Sequence, residues 1–212
     1  IRHLARTRGS VHLICKMFNL DNVRRLYLGN AAVVPAPIPL DQRVEAGEMQ
    51  LVQEMVQSAG GTLLRIGHKP PYLHDDPVSP DERFYQQMGL DYELRFNDFH
   101  IERDMEAEER VFQSLNPSGE PYAFIQSDEQ WPLQKEWGDL SPVFNDPSIP
   151  FFNLGLTLER AAEVHLPNSS IRCLIEGRRV YDMSKARLFF HDLRAPIWGD
   201  STRLDWSMVH YG

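Results

Sequence analysis

Only two of the 212 residues are cysteine, Cys15 and Cys173, too few for the disulfide framework that holds small secreted domains together. Both lie in apolar runs and read as core residues. No apolar stretch reaches the roughly 18 uncharged residues that a membrane-spanning helix needs, and no signal-peptide pattern opens the chain. These absences point to a reducing compartment and make the cytoplasm the expected location. Phosphate-binding glycine patterns are missing too. No Gly-x-Gly-x-x-Gly follows a strand and no Walker A segment occurs, which disfavours a conventional dinucleotide or P-loop site. Nor is there a Gly-x-Ser-x-Gly elbow, which argues against an α/β-hydrolase.

What is present is ordinary globular composition, 42 % hydrophobic and 25 % charged, enough for one large domain or two small ones. The net charge of −8 is unevenly spread. Residues 1–75 carry nine Lys/Arg against six Asp/Glu, whereas residues 76–212 carry thirteen against twenty-four. An acidic body repels phosphate backbones, so nucleic acid ranks last among partners. The charge step places a boundary near residue 75, giving an N-terminal unit over 1–75 and a C-terminal unit over 80–212. The proline-rich stretch 67–81 between them reads as a linker or lid.

Apolar periodicity gives an alternation of strands and helices. Val11–Cys15 reads as a short buried strand and Leu20–Leu28 as a helix. Ala31–Ile38 is at best a fraying strand because of Pro35 and Pro37. A helix capped by Asp41 ends at Gly60-Gly61, and Thr62–Ile66 is again strand-like. Further on, Pro80 starts a helix through Met88 and Asp104 caps another. Tyr122–Gln126 reads as a buried strand, 132–150 as a surface loop, Phe151-Phe152 as a short strand and Leu158–Glu163 as a helix. Val164–Leu166 is a strand, Asn168 caps a helix to Glu176, and Arg187–His191 is the last strand. This pattern predicts an α/β protein with parallel sheets. Residues 1–8 read as the middle of a helix with no cap before it, so the N-terminal lobe is expected to be incomplete.

Four places carry chemistry-bearing side chains. Val164-His-Leu-Pro-Asn-Ser-Ser170 runs a strand into a helix start with two hydroxyls, suited to a diphosphate; the plainer reading is an ordinary Asn cap with solvated serines. Gln126-Ser-Asp-Glu129 ends a strand with carboxylates fit for acid/base work, or forms a solvated acidic turn. In Phe190-His-Asp-Leu-Arg194, His191 closes a strand and Arg194 is placed to neutralise phosphate, unless the histidine is structural. His68 and His74-Asp75-Asp76 offer metal-ligand types but without a recognised spacing.

Several segments together resemble a group of bacterial and viral glycosyltransferase-like proteins of the two-Rossmann GT-B type. They are Arg2–Arg6 with Lys16-Met17 and Asn19–Val23; Phe84-Tyr85 with Leu90–Tyr92 and Arg95-Phe96; and Arg103-Asp104 with Glu108. Tyr122–Asp128, Ala161–His165 with Ser169-Ser170, and Phe190-His191 with Arg194 complete the set. The likeness departs at Gln126-Ser127, where the group has His-Asp, and at Asn168 and Ile171, where it has Asp and Phe. It implies two Rossmann-like lobes, an acceptor side in 1–75 and a nucleotide-donor side in 80–212. It also implies metal-independent transfer of a sugar from a nucleotide sugar to the hydroxyl of a glycan or small-molecule acceptor. The donor would be held by His165, Asn168, Ser169, Ser170, His191 and Arg194, with Asp128 or Glu129 as the base. Two other functions fit the same residues: a non-catalytic α/β binding or scaffold protein derived from such an enzyme, and a metal-dependent phosphate-ester hydrolase using His74, Asp75, Asp76 and Asp128.

Overall fold

The computed structural model describes residues 1–38, 45–64, 78–127, 132–133, 137–177, 180–193 and 202–211. They form two compact units, Ile1–Gly67 and His68–Gly212. Both are α/β with parallel strands, and none of their helices is long and apolar enough to cross a membrane.

The first unit runs α1 (Arg2–Arg8), β1 (Val11–Lys16), a 3₁₀ turn (Met17–Asn19), α2 (Leu20–Leu26), β2 (Val33–Ile38) and α3 (Glu45–Ala59). Strands β1 and β2 pair in parallel from Val11 opposite Val33 to Lys16 opposite Ile38. Where fraying was expected, β2 is regular. The Val11 N–H donates to the Ala32 carbonyl at 2.8 Å, which sets the ladder phase. The donors that β2 returns to β1 then come from Val34, Ala36 and Ile38, and the two proline nitrogens fall on the opposite side. Strand β1 is half-buried rather than buried, as suits a two-stranded sheet. The strand expected at Thr62–Ile66 is not formed over 62–64, where Leu63 and Leu64 are exposed. No described strand lies beside that segment to satisfy its backbone groups. Asp41 and most of the stretch 67–81 fall outside the described residues.

The second unit begins with α4 (Pro80–Gln87), α5 (Leu94–Asn97) and α6 (Met105–Leu115). Ser79 caps α4 by accepting from the Glu82 N–H at 3.2 Å, and Asp104 caps α6 by accepting from the Ala107 N–H at 3.0 Å. Then follow β3 (Tyr122–Ile125), β4 (Ser141–Phe144), a 3₁₀ turn (Phe151–Leu154), α7 (Gly155–Glu159), β5 (Glu163–Pro167), α8 (Ser170–Ile175), β6 (Arg187–His191) and β7 (Trp206–Val209). The sheet order is β4-β3-β5-β6-β7, with every pair parallel.

Several expectations are corrected here. Strand β4 lies in the expected surface loop, and β7 follows the strand expected to be last. Phe151-Phe152 belong to a 3₁₀ turn, not a strand. Glu163 opens β5 instead of ending a helix, and α8 is capped by Ser169, one residue after Asn168. Cys173 is exposed rather than in the core, and Cys15 is half-buried.

Every residue of β3 and β5 is buried, as expected for a parallel sheet covered on both faces. The register puts Tyr122, Phe124, Val164, Leu166, Leu188 and Phe190 on one face. Helix α6 meets that face through Phe112, whose ring lies 6.2 Å from Tyr122, and α8 meets it through Arg172 over Phe190. Beside α6 sits a buried ionic clamp. Arg103 forms a bidentate pair with the wholly buried Glu108 (3.0 and 2.6 Å) and a second with Glu159 (2.7 and 2.9 Å). Burial works against the Arg103 charge, but the two carboxylates outweigh it and raise its pKa. Glu108 also accepts the Leu156 N–H at 2.9 Å, which ties α6 to α7.

Candidate functional site

The five-stranded sheet is wound from its interior. Strand β3 comes first, β4 is laid on one side of it, and β5, β6 and β7 are laid in turn on the other. The direction of winding therefore reverses between β3 and β5. In open α/β sheets, the connections leaving the carboxyl ends of two such strands diverge, and ligands bind in the crevice left between them.

In this chain that edge holds Gln126 and Ser127 after β3, and Asn168, Ser169 and Ser170 after β5. A side-chain bridge crosses it, with the Ser169 hydroxyl donating to Gln126 Oε1 at 2.6 Å. The same hydroxyl oxygen accepts the Arg172 N–H at 3.3 Å, as an N-cap does. Asn168 Oδ1 accepts from the Arg172 guanidinium at 3.1 Å, so the residue that was expected to cap α8 instead positions a buried arginine. Ser170 is exposed. Helix α8 has only six residues, so any recognition here rests on side chains and strand ends more than on a helix dipole.

One strand further over, the opposite face of the sheet carries a line of polar side chains. Glu163, His165, Arg187, Phe189 and His191 share this face by register. Arg187 pairs with Glu163 Oε1, and Glu163 Oε2 lies 2.8 Å from His165 Nε2. His165 Nδ1 lies 3.0 Å from His191 Nε2, and His191 Nδ1 lies 2.6 Å from the hydroxyl of the half-buried Tyr211. Both imidazoles are fully buried. Phe189 stacks on His165 at 4.5 Å and 5°, and Trp137 meets its edge at 4.7 Å.

The structure thus brings His165 to His191, and Ser169 to Gln126 and Arg172. Asp128, Glu129 and Arg194 lie outside the described residues, as do His68, His74, Asp75 and Asp76. Among the described residues, no group of three His, Cys, Asp or Glu side chains is placed to hold a metal ion. Sequence reasoning missed Glu163, Arg187 and Tyr211 as partners of the histidines. The available signal was period-two polarity in adjacent strands, Glu163-x-His165 beside Arg187-x-x-x-His191. No family model matches the chain, and comparison with the curated proteins and with the solved structures finds no match.

Proposed function

We propose that the chain is a glycosyltransferase of the two-lobed GT-B kind, with the acceptor side in the first unit and a nucleotide-sugar site in the second. The observation that carries this reading is the reversal of strand order between β3 and β5, with Gln126 and Ser169 joined across it. The resemblance of the Ala161–Ser170 and Phe190–Arg194 segments to such enzymes supplies the ligand class. The hydroxyls of Ser169 and Ser170, with Arg194, would receive the donor diphosphate. The acceptor oxygen forms its bond to the anomeric carbon as the bond from that carbon to the phosphate oxygen breaks. Donors fixed at the diphosphate stabilise the charge that develops there.

Thermal denaturation against millimolar GDP, UDP, ADP and CMP and their sugar conjugates, with and without magnesium, tests the proposal. A ligand that binds only the folded state at about 100 times its Kd adds roughly 2.7 kcal/mol of stability. The expected result is a shift selective for one nucleotide diphosphate. It disappears in the Ser169→Ala, Ser170→Ala double variant, measured against that variant's own baseline, because losing the cap alone costs about 1 kcal/mol. No shift with any of these ligands overturns the reading. A second reading, a non-catalytic binding or scaffold protein, is favoured by one observation: the only hydroxyl proton of Ser169 is already given to Gln126. Under the first reading Gln126→Ala frees that hydroxyl and strengthens the ligand shift; under the second, neither the parent nor the variant shows a shift.

A further inference from the structure

Strand β1 is paired on one side. The Val11 N–H donates to the Ala32 carbonyl, so Val11, Leu13 and Cys15 turn their backbone groups to β2, and His12, Ile14 and Lys16 turn theirs the other way. Among the described residues no strand lies on that other side.

The two helices that flank the pair lie on opposite faces. Lys16 Nζ is 3.5 Å from Glu48 Oε2, which puts α3 on the face of His12, Ile14 and Lys16. Cys15 is on the other face, where burial raises the thiol's pKa and the Arg24 guanidinium of α2 opposes that rise. Crossovers between parallel strands are right-handed. With α2 on one face the chain steps from β1 to β2. With α3 on the other, the next step runs back past β1 to its far side. The length of α3 fits that path. Its 15 residues span about 22 Å, against about 20 Å for the six residues of β1. A helix that starts beside Lys16 and packs back along β2 thus ends level with Val11. There the chain is turned. Gly60, with φ 62°, donates to the Gln57 carbonyl at 3.2 Å and Gly61 to the Val56 carbonyl at 3.3 Å, the glycine stop that reverses the chain at a helix end. Thr62 therefore sets out from the amino edge of the sheet, where a strand parallel to β1 has to begin.

The residues that follow suit the position. Leu63 and Leu64 are 39 % and 51 % exposed. Successive residues of a strand point to opposite faces, so beside β1 one leucine would meet the α2 face and the other the α3 face. Two adjacent apolar residues fit a strand covered on both sides and not one that shows a face to water.

We propose that Thr62–Leu64 is a strap that docks along the far side of β1 as a third parallel strand, in exchange with the open arrangement in which both leucines face water. Docked, it pairs with the backbone of His12 and Ile14 and withdraws both leucines from solvent. The sheet order becomes β2-β1-strap, wound from its interior as in the second unit. Joined to α3 by two glycines, the strap acts at high effective concentration, so any other extended chain that pairs with β1 has to displace it.

Amide hydrogen exchange of the full chain, read residue by residue by NMR at low and at high protein concentration, tests the strap. The Ile14 N–H faces the slot and the Leu13 N–H faces β2, so neighbouring amides serve as probe and control. The Ile14 amide is expected to exchange at least about tenfold more slowly than an unprotected one at both concentrations, with backbone NOEs to Thr62–Leu64. Leu63→Pro with Leu64→Pro leaves the strap no complete ladder in either phase. It should return Ile14 to fast exchange while Leu13 stays as in the parent, whereas Leu63→Val with Leu64→Val keeps the protection. An Ile14 amide as fast as an unprotected one, or protection that survives the two prolines, overturns the strap. Protection at high concentration alone assigns the slot to a second copy of the chain and overturns it equally.

Discussion

Replacing Gly155 by alanine sets two effects of opposite sign against each other. Gly155 opens α7 with ordinary right-handed helical angles (φ −51°, ψ −57°). A backbone of that kind favours alanine over glycine by about 0.5–1 kcal/mol. The surroundings argue the other way. A Cβ on Gly155 would stand 2.3 Å from Glu108 Oε2 and 2.4 Å from Tyr181 Cε1. That carboxylate oxygen is the one that accepts from Arg103 at 2.6 Å and from the Leu156 N–H at 2.9 Å, and Glu108 is fully buried, so it has no solvent to retreat into. Overpacking of this kind costs about 1–3 kcal/mol, and loss of a hydrogen bond to a charged group about 1.5–3 kcal/mol. Set against the helix gain, the net is a destabilisation of roughly 2–5 kcal/mol. At about 2–4 °C per kcal/mol for a chain of this size, the melting temperature falls by roughly 4–20 °C. Urea unfolding followed by near-ultraviolet signal reads the free energy, with Gly61→Ala as control, because a Cβ there meets nothing within 4 Å. A Gly155→Ala protein as stable as the parent, or more so, would refute the argument that the Arg103–Glu108 clamp leaves no room at α7.

Removing the cation of that clamp by Arg103→Met leaves Glu108 buried and uncompensated. The expected loss is about 3–5 kcal/mol in chemical denaturation, much of it restored by adding Glu108→Leu; a loss below about 1 kcal/mol contradicts the clamp. In the first unit, burial pushes the Tyr27 phenol up to about 12 despite the opposing field of Arg2, whereas in the unfolded chain it ionises near 10. The folded state then holds the proton more tightly, so this contribution to stability is complete below pH 10 and lost between pH 10 and about 12. Tyr27→Phe should flatten that part of the alkaline decline, and an identical decline in parent and variant would count against it. Thiol titration should show Cys173 reacting first because it is exposed, with Cys15 slower because burial raises its pKa. Faster labelling of Cys173→Ser, which keeps only Cys15, than of Cys15→Ser would contradict this order.

Much of the second unit could be read from the chain because its signals are local. Tyr122–Ile125 is a short apolar run and Asp104 is a cap directly before an amphipathic helix. What escaped depends on partners far along the sequence. Strand β4, Ser141–Phe144, has little apolar character of its own and is a strand because β3 offers it a ladder. Glu163 and Arg187 look like surface residues until the sheet sets them side by side, 24 residues apart. Glu108 sits on a helix whose apolar stripe is plain, yet it is buried because Arg103 and the Leu156 amide receive it. The Ser169-Ser170 pair was visible as a strand-to-helix turn, but the placement of that turn at the reversal of strand order required the topology.

The two prolines of β2 have a consequence beyond the ladder they leave intact. A strand with a bare edge is a template on which another extended chain can grow. On β2 the side turned away from β1 lacks donors at Pro35 and Pro37, so a foreign strand approaching along it would find two successive carbonyls without the N–H groups needed to complete a register. Reversing that feature with Pro35→Val and Pro37→Val would leave the pairing with β1 undisturbed while giving the apolar outer side donors at both positions, beyond the Val33 N–H that already donates to the Asn30 carbonyl. The same substitutions that improve the strand on paper would make the protein more prone to self-association.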